Sequence, residues 1–346
     1  MIFSSENMTN AIKIQAKKAE EVKVYLMSTN NLSHTAKVHA KEEYIYFPVI
    51  RTKDILKKYT IVQISLPKKK EKQKDLKTKI SSQLTKKEQE HLKTSFDHIG
   101  TIAILEIDSQ LEKKEKIIAN VLLEMFPSIK TVLKKAGSHE GEFRTQKMAL
   151  LAGVETKETC HRENGVMLFL DVEKVYFSPR LSTERQRIVK LVKKGESILV
   201  MFSGCAPYPC ILSKHTFAKE IYGVELNPVG HQYGLRNVVV NKLKNVFLFN
   251  GDVRTVVPQL RKKFDRILMP LPKSSEEFLD VALAVAKKGT IIHCYDFLHE
   301  EKFQDAVKKI EKACATAKKK CKILGIFKCG QHSPRTFRIC VDFEIL

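Results

Sequence analysis

The sequence predicts an α/β protein: a doubly wound, Rossmann-like sheet ending in an antiparallel hairpin, preceded by two smaller α+β domains. Three observations carry this. From Val175 onward, short apolar runs alternate with helix-length segments, the pattern of parallel strands joined by crossover helices. The last two strand-like segments, Lys322–Lys328 and Phe337–Phe343, are joined by a short stretch holding Gly330, Ser333 and Pro334. A parallel crossover needs roughly a dozen residues, so that pair is antiparallel. Finally, the length of 346 residues accommodates two or three domains.

Residues 1–67 read as a small separate α+β module. Apolar residues at helical spacing (Ile12, Ile14, Ala16, Ala19, Val22, Leu26) predict a helix from Asn10 to Leu26. Strands are expected around Thr35–His39, Tyr44–Val49 and Thr60–Leu66. Residues 68–93 are expected to be a solvated linker, because Pro67–Lys93 carries 10 lysines against 4 acids and few apolar residues. A middle α+β domain is expected over 94–174. It has a strand at Thr101–Ile107, a helix at Leu111–Met125 stopped by Pro127, strands at Thr131–Leu133 and Val166–Leu170, and a polar turn at His161–Gly165.

Residues 175–346 form the Rossmann-like domain. Helix Thr183–Val192 precedes strand Ile198–Phe202. Helix Pro228–Leu243, strand Val246–Asn250, helix Arg254–Lys263, strand Arg266–Met269, helix Ser275–Lys287, strand Thr290–Tyr295 and helix Glu300–Ala317 lead to the final hairpin. At its centre lies Ser197–Asn227: a buried strand, a tight turn, a short helix, and a second strand that delivers Glu225. A carboxylate at that strand end is placed to accept hydrogen bonds from ribose hydroxyls. The turn after Phe202 contains Gly204 alone, so it is no GxGxxG phosphate cradle and favours a nucleoside without pyrophosphate, such as S-adenosylmethionine.

Asn250-Gly251-Asp252-Val253 follows the third strand of this domain. Asp252 can accept from an adenine amino group while the neighbouring N–H reaches the ring; it is equally suited to cap the next helix. Because ligands of open α/β sheets gather at the carboxyl ends of strands, Asp252 and Glu225 together favour a nucleoside site. Met269-Pro270-Leu271-Pro272, after the fourth strand, is a rigid loop with few backbone donors. Tyr176-Phe177-Ser178-Pro179-Arg180-Leu181-Ser182-Thr183-Glu184-Arg185 leads into the helix before the cofactor strand, and Arg180, Arg185 and Arg187 suit RNA phosphates.

Lys and Arg number 61 against 39 Asp and Glu, a formal charge of +22. Such an excess points to a polyanionic partner, nucleic acid before membrane; the competing reading is lysine-rich faces that are simply solvated. Eight cysteines include no CxxC pair, so neither a zinc ribbon nor a thioredoxin motif is indicated and no metal is expected. Cys205 and Cys210 are expected as small buried residues. No signal peptide and no apolar run of about 18 residues is present, so a cytoplasmic protein is expected.

Taken together, YFSPRLSTER, the cofactor strand and turn, GVELNP, Asn237 and Asn241, NGDVR, DRILMPLPK and the terminal SPRTFR…DF resemble the archaeal and eukaryotic tRNA guanosine-37 N1-methyltransferase family. IGTIAILEI, KTVLKKAGSHEGEFR, LLAG and HRENG resemble that family's middle domain, and the N-terminal module its small first domain. The resemblance implies a class I methyltransferase that uses S-adenosylmethionine, with tRNA as partner and a monomer as a sufficient unit. It implies that the first domain checks the outer corner of the tRNA while the others grip the anticodon arm. Glu184 would be the general base and Arg144 its partner at the guanine. Tyr176, Phe202, Gly204, Glu225, Asp252, Val253, Pro270 and Pro272 would hold the cofactor, and Arg180, Arg185 and Arg335 the RNA. The chain departs from the family pattern at Val200, Ala206 and Pro270, where the family has Asp, a second glycine and Asn; a weakened cofactor site is the expectation. Two other readings compete. One is aminocarboxypropyl transfer or methylation in wyosine-type base synthesis on the same nucleotide. The other is a tRNA-binding relative that has lost catalysis.

Overall fold

The structure is a computed structural model that describes residues 8–33, 35–53, 55, 58–67, 76–137 and 141–346. Lys68-Lys69-Lys70 of the expected linker lie outside the described residues. The chain divides into two compact units, Met1–Thr78 and Lys79–Leu346.

In the first unit, β1 (Met8–Gln15), α1 (Ala19–Ser28), β2 (His39–Lys41), β3 (Tyr44–Pro48) and β4 (Ile61–Ser65) build a sheet of order β2-β3-β1-β4. The helix expected over Asn10–Leu26 is therefore half strand. Ile12 and Ile14 alternate along β1, which pairs with β3 and β4, and only the stretch from Ala19 coils. Two-sided pairing overrides the helical spacing. Ile12, Val22, Leu26, Phe47, Val49 and Ile55 form its core.

Within the expected linker, residues 76–93 are ordered. α2 (Leu76–Ile80) and α3 (Lys86–Glu90) occur there, with Leu76, Ile80 and Leu84 buried at helical spacing. Thr85 and Glu88 form a capping box at the start of α3. In the second unit, β5 (Asp97–Ile99), β6 (Ile102–Leu105), α4 (Glu115–Met125), β7 (Thr131–Lys135) and β8 (Met148–Gly153) form a four-stranded sheet with one helix. The polar stretch before Asn164 is a strand rather than a turn: β9 (Glu158–Glu163) pairs with β10 (Val166–Asp171). Only Asn164 and Gly165 turn, both at positive φ as a two-residue hairpin turn requires. The side chains of β9 are polar because the strand buries only Thr159 and Glu163.

α5 (Ser182–Leu191) then leads to the main sheet. β11 (Ser197–Met201), α6 (Pro207–His215), β12 (Glu220–Glu225), α7 (Pro228–Val240), β13 (Val246–Asn250), α8 (Val253–Gln259), β14 (Phe264–Met269), α9 (Leu279–Val285), β15 (Ala286–His299), α10 (Phe303–Thr316), β16 (Cys321–Ser333) and β17 (Thr336–Ile345) complete the chain. The seven strands lie in the order β13-β12-β11-β14-β15-β17-β16. The first five are parallel, and β17 runs antiparallel between β15 and β16. This is the doubly wound sheet with an antiparallel final pair that the sequence predicts. The order reverses at β11, so its carboxyl end and that of β14 border a crevice.

Asn237 of α7 and Asn241, its C-cap, fasten hairpin β9–β10 to this layer. Asn237 accepts from Phe169 N at 2.7 Å and donates to Phe169 O and Cys205 O; Asn241 accepts from Met167 N at 2.9 Å and donates to Met167 O. Each side-chain amide imitates a neighbouring strand, satisfying backbone groups that would otherwise be buried unpaired.

Candidate active site

The crevice at the carboxyl ends of the parallel strands holds a cavity of about 180 Å³. All eight residues expected to hold the cofactor line it: Tyr176, Phe202, Gly204, Glu225, Asp252, Val253, Pro270 and Pro272. The local sequence explains the arrangement. After β11 the chain turns at Phe202, Gly204 and Ala206, each at positive φ, before Pro207 starts α6. Gly204 N then donates to Glu225 Oε2 at 2.6 Å, and Asn227 N donates to Glu225 Oε1 at 2.8 Å. The carboxylate is thus aimed by two backbone donors from opposite sides of the strand end. Burial raises its pKa, and the backbone N–H groups of Asn227, Gly204 and Leu226 pull in the opposite direction. Asp252 caps α8, its Oδ1 accepting from Arg254 N at 2.7 Å. Capping and ligand contact are compatible here, since the cap uses one oxygen.

Phe278 and Tyr208 also line the cavity, and nothing in the sequence pattern singled them out. Phe278 packs edge-on against Phe202 with ring centroids 4.9 Å apart and carries the Arg254 guanidinium at 4.0 Å. A rim of aromatic rings beside two carboxylates, with few glycine N–H groups, fits a nucleoside and gives little for a pyrophosphate.

The cavity shares Arg144, Tyr176, Pro272 and Phe278 with a wider groove of about 910 Å³ that runs against the middle sheet. Arg144, at φ +52°, sits on the shared wall and donates to Lys273 O. Tyr176 OH accepts from Arg338 Nη2 at 2.7 Å. Arg180 lines the groove and is paired with Asp97 at 2.7 Å.

Glu184 lies elsewhere. It is 5% exposed and is not among the residues lining either cavity. Arg187 grips both its oxygens at 2.7 and 2.8 Å, and Tyr295 OH donates to Oε1 at 2.7 Å. Tyr295 OH is also 3.0 Å from the hydroxyl of Tyr208, a residue of the cavity wall. Beyond Arg187 the network continues through the sheet. Arg187 reaches Asp342 at 2.6 Å, Asp342 is 2.7 Å from His293 Nδ1, and His293 Nε2 is 2.7 Å from Arg266, which pairs with Glu196. Because a guanidinium only donates, Nε2 accepts and Nδ1–H donates to Asp342, which makes His293 the neutral imidazole. Burial lowers the His293 pKa, against the pull of Asp342. Burial also pushes Asp342 up, but the His293 and Arg187 hydrogen bonds outweigh it and hold the carboxyl well below the carboxylate range. His293, Cys340 and Asp342 have ligand-type atoms within 4.8 Å of one another, yet two guanidinium groups already occupy this cluster.

Two of the arginines expected on RNA are placed differently. Arg185 is 1% exposed and forms a bidentate pair with Glu163 at 2.5 and 2.6 Å, so in this structure it braces the cavity from inside. A charge at that helix position is buried because Glu163 arrives from β9, a partner distant in sequence. Arg335 is exposed at the tip of the β16–β17 hairpin, holds Glu300 and Glu301, and lines neither cavity. Arg338, three residues on in the same motif, lines the groove instead. Val200, a departure from the family pattern, is fully buried among Ile188, Ile198 and Leu268 and does not line the cavity.

A tRNA (guanine(37)-N(1))-methyltransferase of Pyrococcus abyssi, Trm5b, is 34% identical over 339 residues, which cover 98% of this chain and 99% of the relative. This chain belongs to the tRNA (guanine(37)-N(1))-methyltransferase family. Residues 159–324 match the TRM5/TYW2 methyltransferase domain, 76–156 the TYW2 N-terminal domain, and 11–57 the tRNA methyltransferase 5 N-terminal domain. The crystal structure of Pyrococcus abyssi Trm5b superposes with a TM-score of 0.75 at 33% identity, covering 98% of this chain and 99% of that one. The complex of aTrm5 with tRNALeu gives a TM-score of 0.71 at 31% identity, covering 97% and 99%. The Methanocaldococcus jannaschii Trm5 structure with adenosine gives 0.66 at 30% identity, with the same coverage.

Proposed function

We propose that this chain transfers the methyl group of S-adenosylmethionine to N1 of guanosine 37 of tRNA, the nucleotide 3′ of the anticodon. The observation that carries this is the union of the two cavities. A nucleoside-sized space with Glu225 and Asp252 at one end opens, past Arg144 and Tyr176, into a groove wide enough for an RNA loop.

Glu225 holds the ribose hydroxyls, Asp252 and Val253 N–H hold the adenine edge, and Phe202 and Phe278 flank it. Gly204, Tyr176, Pro270 and Pro272 close the site around the methionine end. The bound sulfonium supplies an electrophilic methyl group, so the chemistry left to the protein is positioning and proton removal. Guanine N1 carries a proton at neutral pH and must lose it as the methyl arrives. Arg144, on the wall common to cavity and groove, stabilises the negative charge that develops on O6.

Glu184 is the proton's destination. An ionised carboxylate only accepts, so Tyr295 donates to Glu184 and Tyr208 in turn donates to Tyr295. That direction leaves the Tyr208 oxygen as acceptor at the cavity wall. A proton taken there moves Glu184 toward its neutral form by two hydroxyl transfers. Once methylated at N1 the base is cationic, so even an ion-paired carboxylate is basic enough to receive its proton. The chain acts in the cytoplasm as a monomer and without a metal, on a tRNA held by its lysine-rich surface. Among the described residues no helix is long and apolar enough to cross a membrane.

The test is incubation with S-adenosylmethionine and an unmodified tRNA bearing guanosine 37, followed by mass mapping of the nucleosides. The expected product is 1-methylguanosine at that position, with Glu184→Gln slower by roughly 10²–10⁴-fold. Absence of methylguanosine with the wild-type protein overturns the proposal. An added aminocarboxypropyl mass on a wyosine precursor selects the alternative transfer.

A further inference from the structure

The geometry points to a stacking subsite for a second nucleobase, built by His332, Phe297 and Arg338 at the far end of the groove. It rests on the reading above, and it takes the base of a nucleotide adjoining the one that is methylated.

The hairpin creates the subsite. β15 and β17 place Phe297 opposite Arg338, and β16 and β17 place Gly330 opposite Arg338. That register carries His332 over Phe297, with ring centroids 4.5 Å apart and planes 35° from parallel. The Arg338 guanidinium lies 5.0 Å from the Phe297 centroid. Phe297 is partly buried and His332 is exposed, so the imidazole has a face open to the groove that both residues line. Two rings and a guanidinium plane make a platform for a planar, π-faced ligand. Stacking of this kind tolerates any base.

Arg338 ties the platform to the reacting site. Its Nη2 donates to Tyr176 OH, while its Nε is buried and has no hydrogen-bond partner among the described residues. A buried donor without an acceptor is unfavourable, and a base edge or phosphate oxygen entering the groove supplies one. Tyr176 belongs to the wall shared with the cofactor cavity, whereas Phe297 and His332 line the groove alone. The reacting base therefore lies on the Tyr176 side of Arg338 and the stacked neighbour on the Phe297 side. Of the four acidic residues lining the groove, Asp97 is paired with Arg180 and Glu106 with Lys135, while Glu142 and Glu277 are exposed. Lys273 adds a positive charge.

The experiment measures affinity for an anticodon stem-loop RNA bearing guanosine 37, with the wild type and His332→Ala, using RNAs that are intact or abasic at nucleotide 36 or 38. His332 is exposed, so its truncation leaves the fold intact, and a thermal melt verifies this. His332→Ala is expected to weaken binding of intact RNA about tenfold. An abasic site at one of the two flanking positions weakens the wild type by a similar factor and weakens His332→Ala little further. Single-turnover methylation at saturating RNA stays within about twofold, since stacking of a neighbour acts on binding rather than on the transferred methyl. Undiminished binding by His332→Ala, or losses that multiply fully with the abasic site at both positions, overturns the subsite. Because the readout is RNA affinity, it stands apart from the activity reading. Wild-type protein that binds the RNA and methylates nothing would sink the proposed reaction, while the affinity cycle would still decide the platform.

Discussion

Glu225 accepts backbone N–H groups on both oxygens, Gly204 N on Oε2 and Asn227 N on Oε1, and lines the cavity. Replacing it with Gln leaves the shape but removes charge-assisted acceptance. The dissociation constant for S-adenosylmethionine, read by calorimetry, is expected to rise roughly 10–100-fold, in line with about 1.5–3 kcal/mol for a hydrogen bond to a charged group. RNA affinity should not change. Tyr295 tests the proton route at the same scale. Tyr295→Phe keeps the buried ring and deletes the hydroxyl that bridges Tyr208 and Glu184. Its single-turnover rate should drop at least about tenfold, with a flattened pH profile and unaltered cofactor binding; a wild-type rate would reject the route. The family's glycine at Ala206 also has a structural meaning. Ala206 sits at φ +63° in the left-handed region. Ala206→Gly relieves strain of about 1–2 kcal/mol and gives up a small buried methyl, so a net gain of about 0.5–1 kcal/mol in a denaturant titration is expected.

At the scale of elements, the joint between hairpin β9–β10 and α7 depends on Asn237, which is fully buried and makes three hydrogen bonds. Asn237→Ala leaves two backbone groups of β10 and one of the cofactor turn unpaired, and should cost about 2–4 kcal/mol. Such a loss would appear as a lower denaturation midpoint. The polar chain through β14, β15 and β17 makes the sheet acid-sensitive in two stages. Folded His293 is neutral with a lowered pKa, so only the unfolded imidazole takes a proton as pH falls below about 6.5, and stability declines there. The Asp342 carboxyl is held low in the fold, so its contribution is complete above the unfolded value near 3.8 and fades as pH falls beneath it. Thermal midpoints between pH 7.5 and 5 should therefore slope less steeply in His293→Gln than in the wild type. Equal slopes would show that the imidazole is not responsible.

For the whole molecule, the +22 charge predicts RNA binding that weakens steeply with salt. Six or more phosphate contacts imply a loss of roughly 10³-fold or more between 50 and 200 mM salt, and a flat response would remove the polyanion argument. The sequence by itself determined the doubly wound sheet, its antiparallel end, and the placing of Glu225 and Asp252 at the carboxyl ends of neighbouring strands. Those depend on local information: apolar runs of strand length, turn residues, and carboxylates at strand ends that the topology must gather on one edge. It misread β1 because helical and strand spacings overlap over a few residues and only pairing with β3 and β4 decides between them. What it could not supply was the state of each charge. Arg185 looked like an RNA contact until Glu163 met it from another hairpin, and Arg335 and Arg338 are indistinguishable until strand register turns one to solvent and the other to the groove. Val200 looked like a lost cofactor contact, and packing places it inside the sheet. Glu184, Arg187, Asp342 and His293 form one buried network although they span much of the chain. Pairing and burial depend on which distant elements the fold brings together, and so only the tertiary structure decided them.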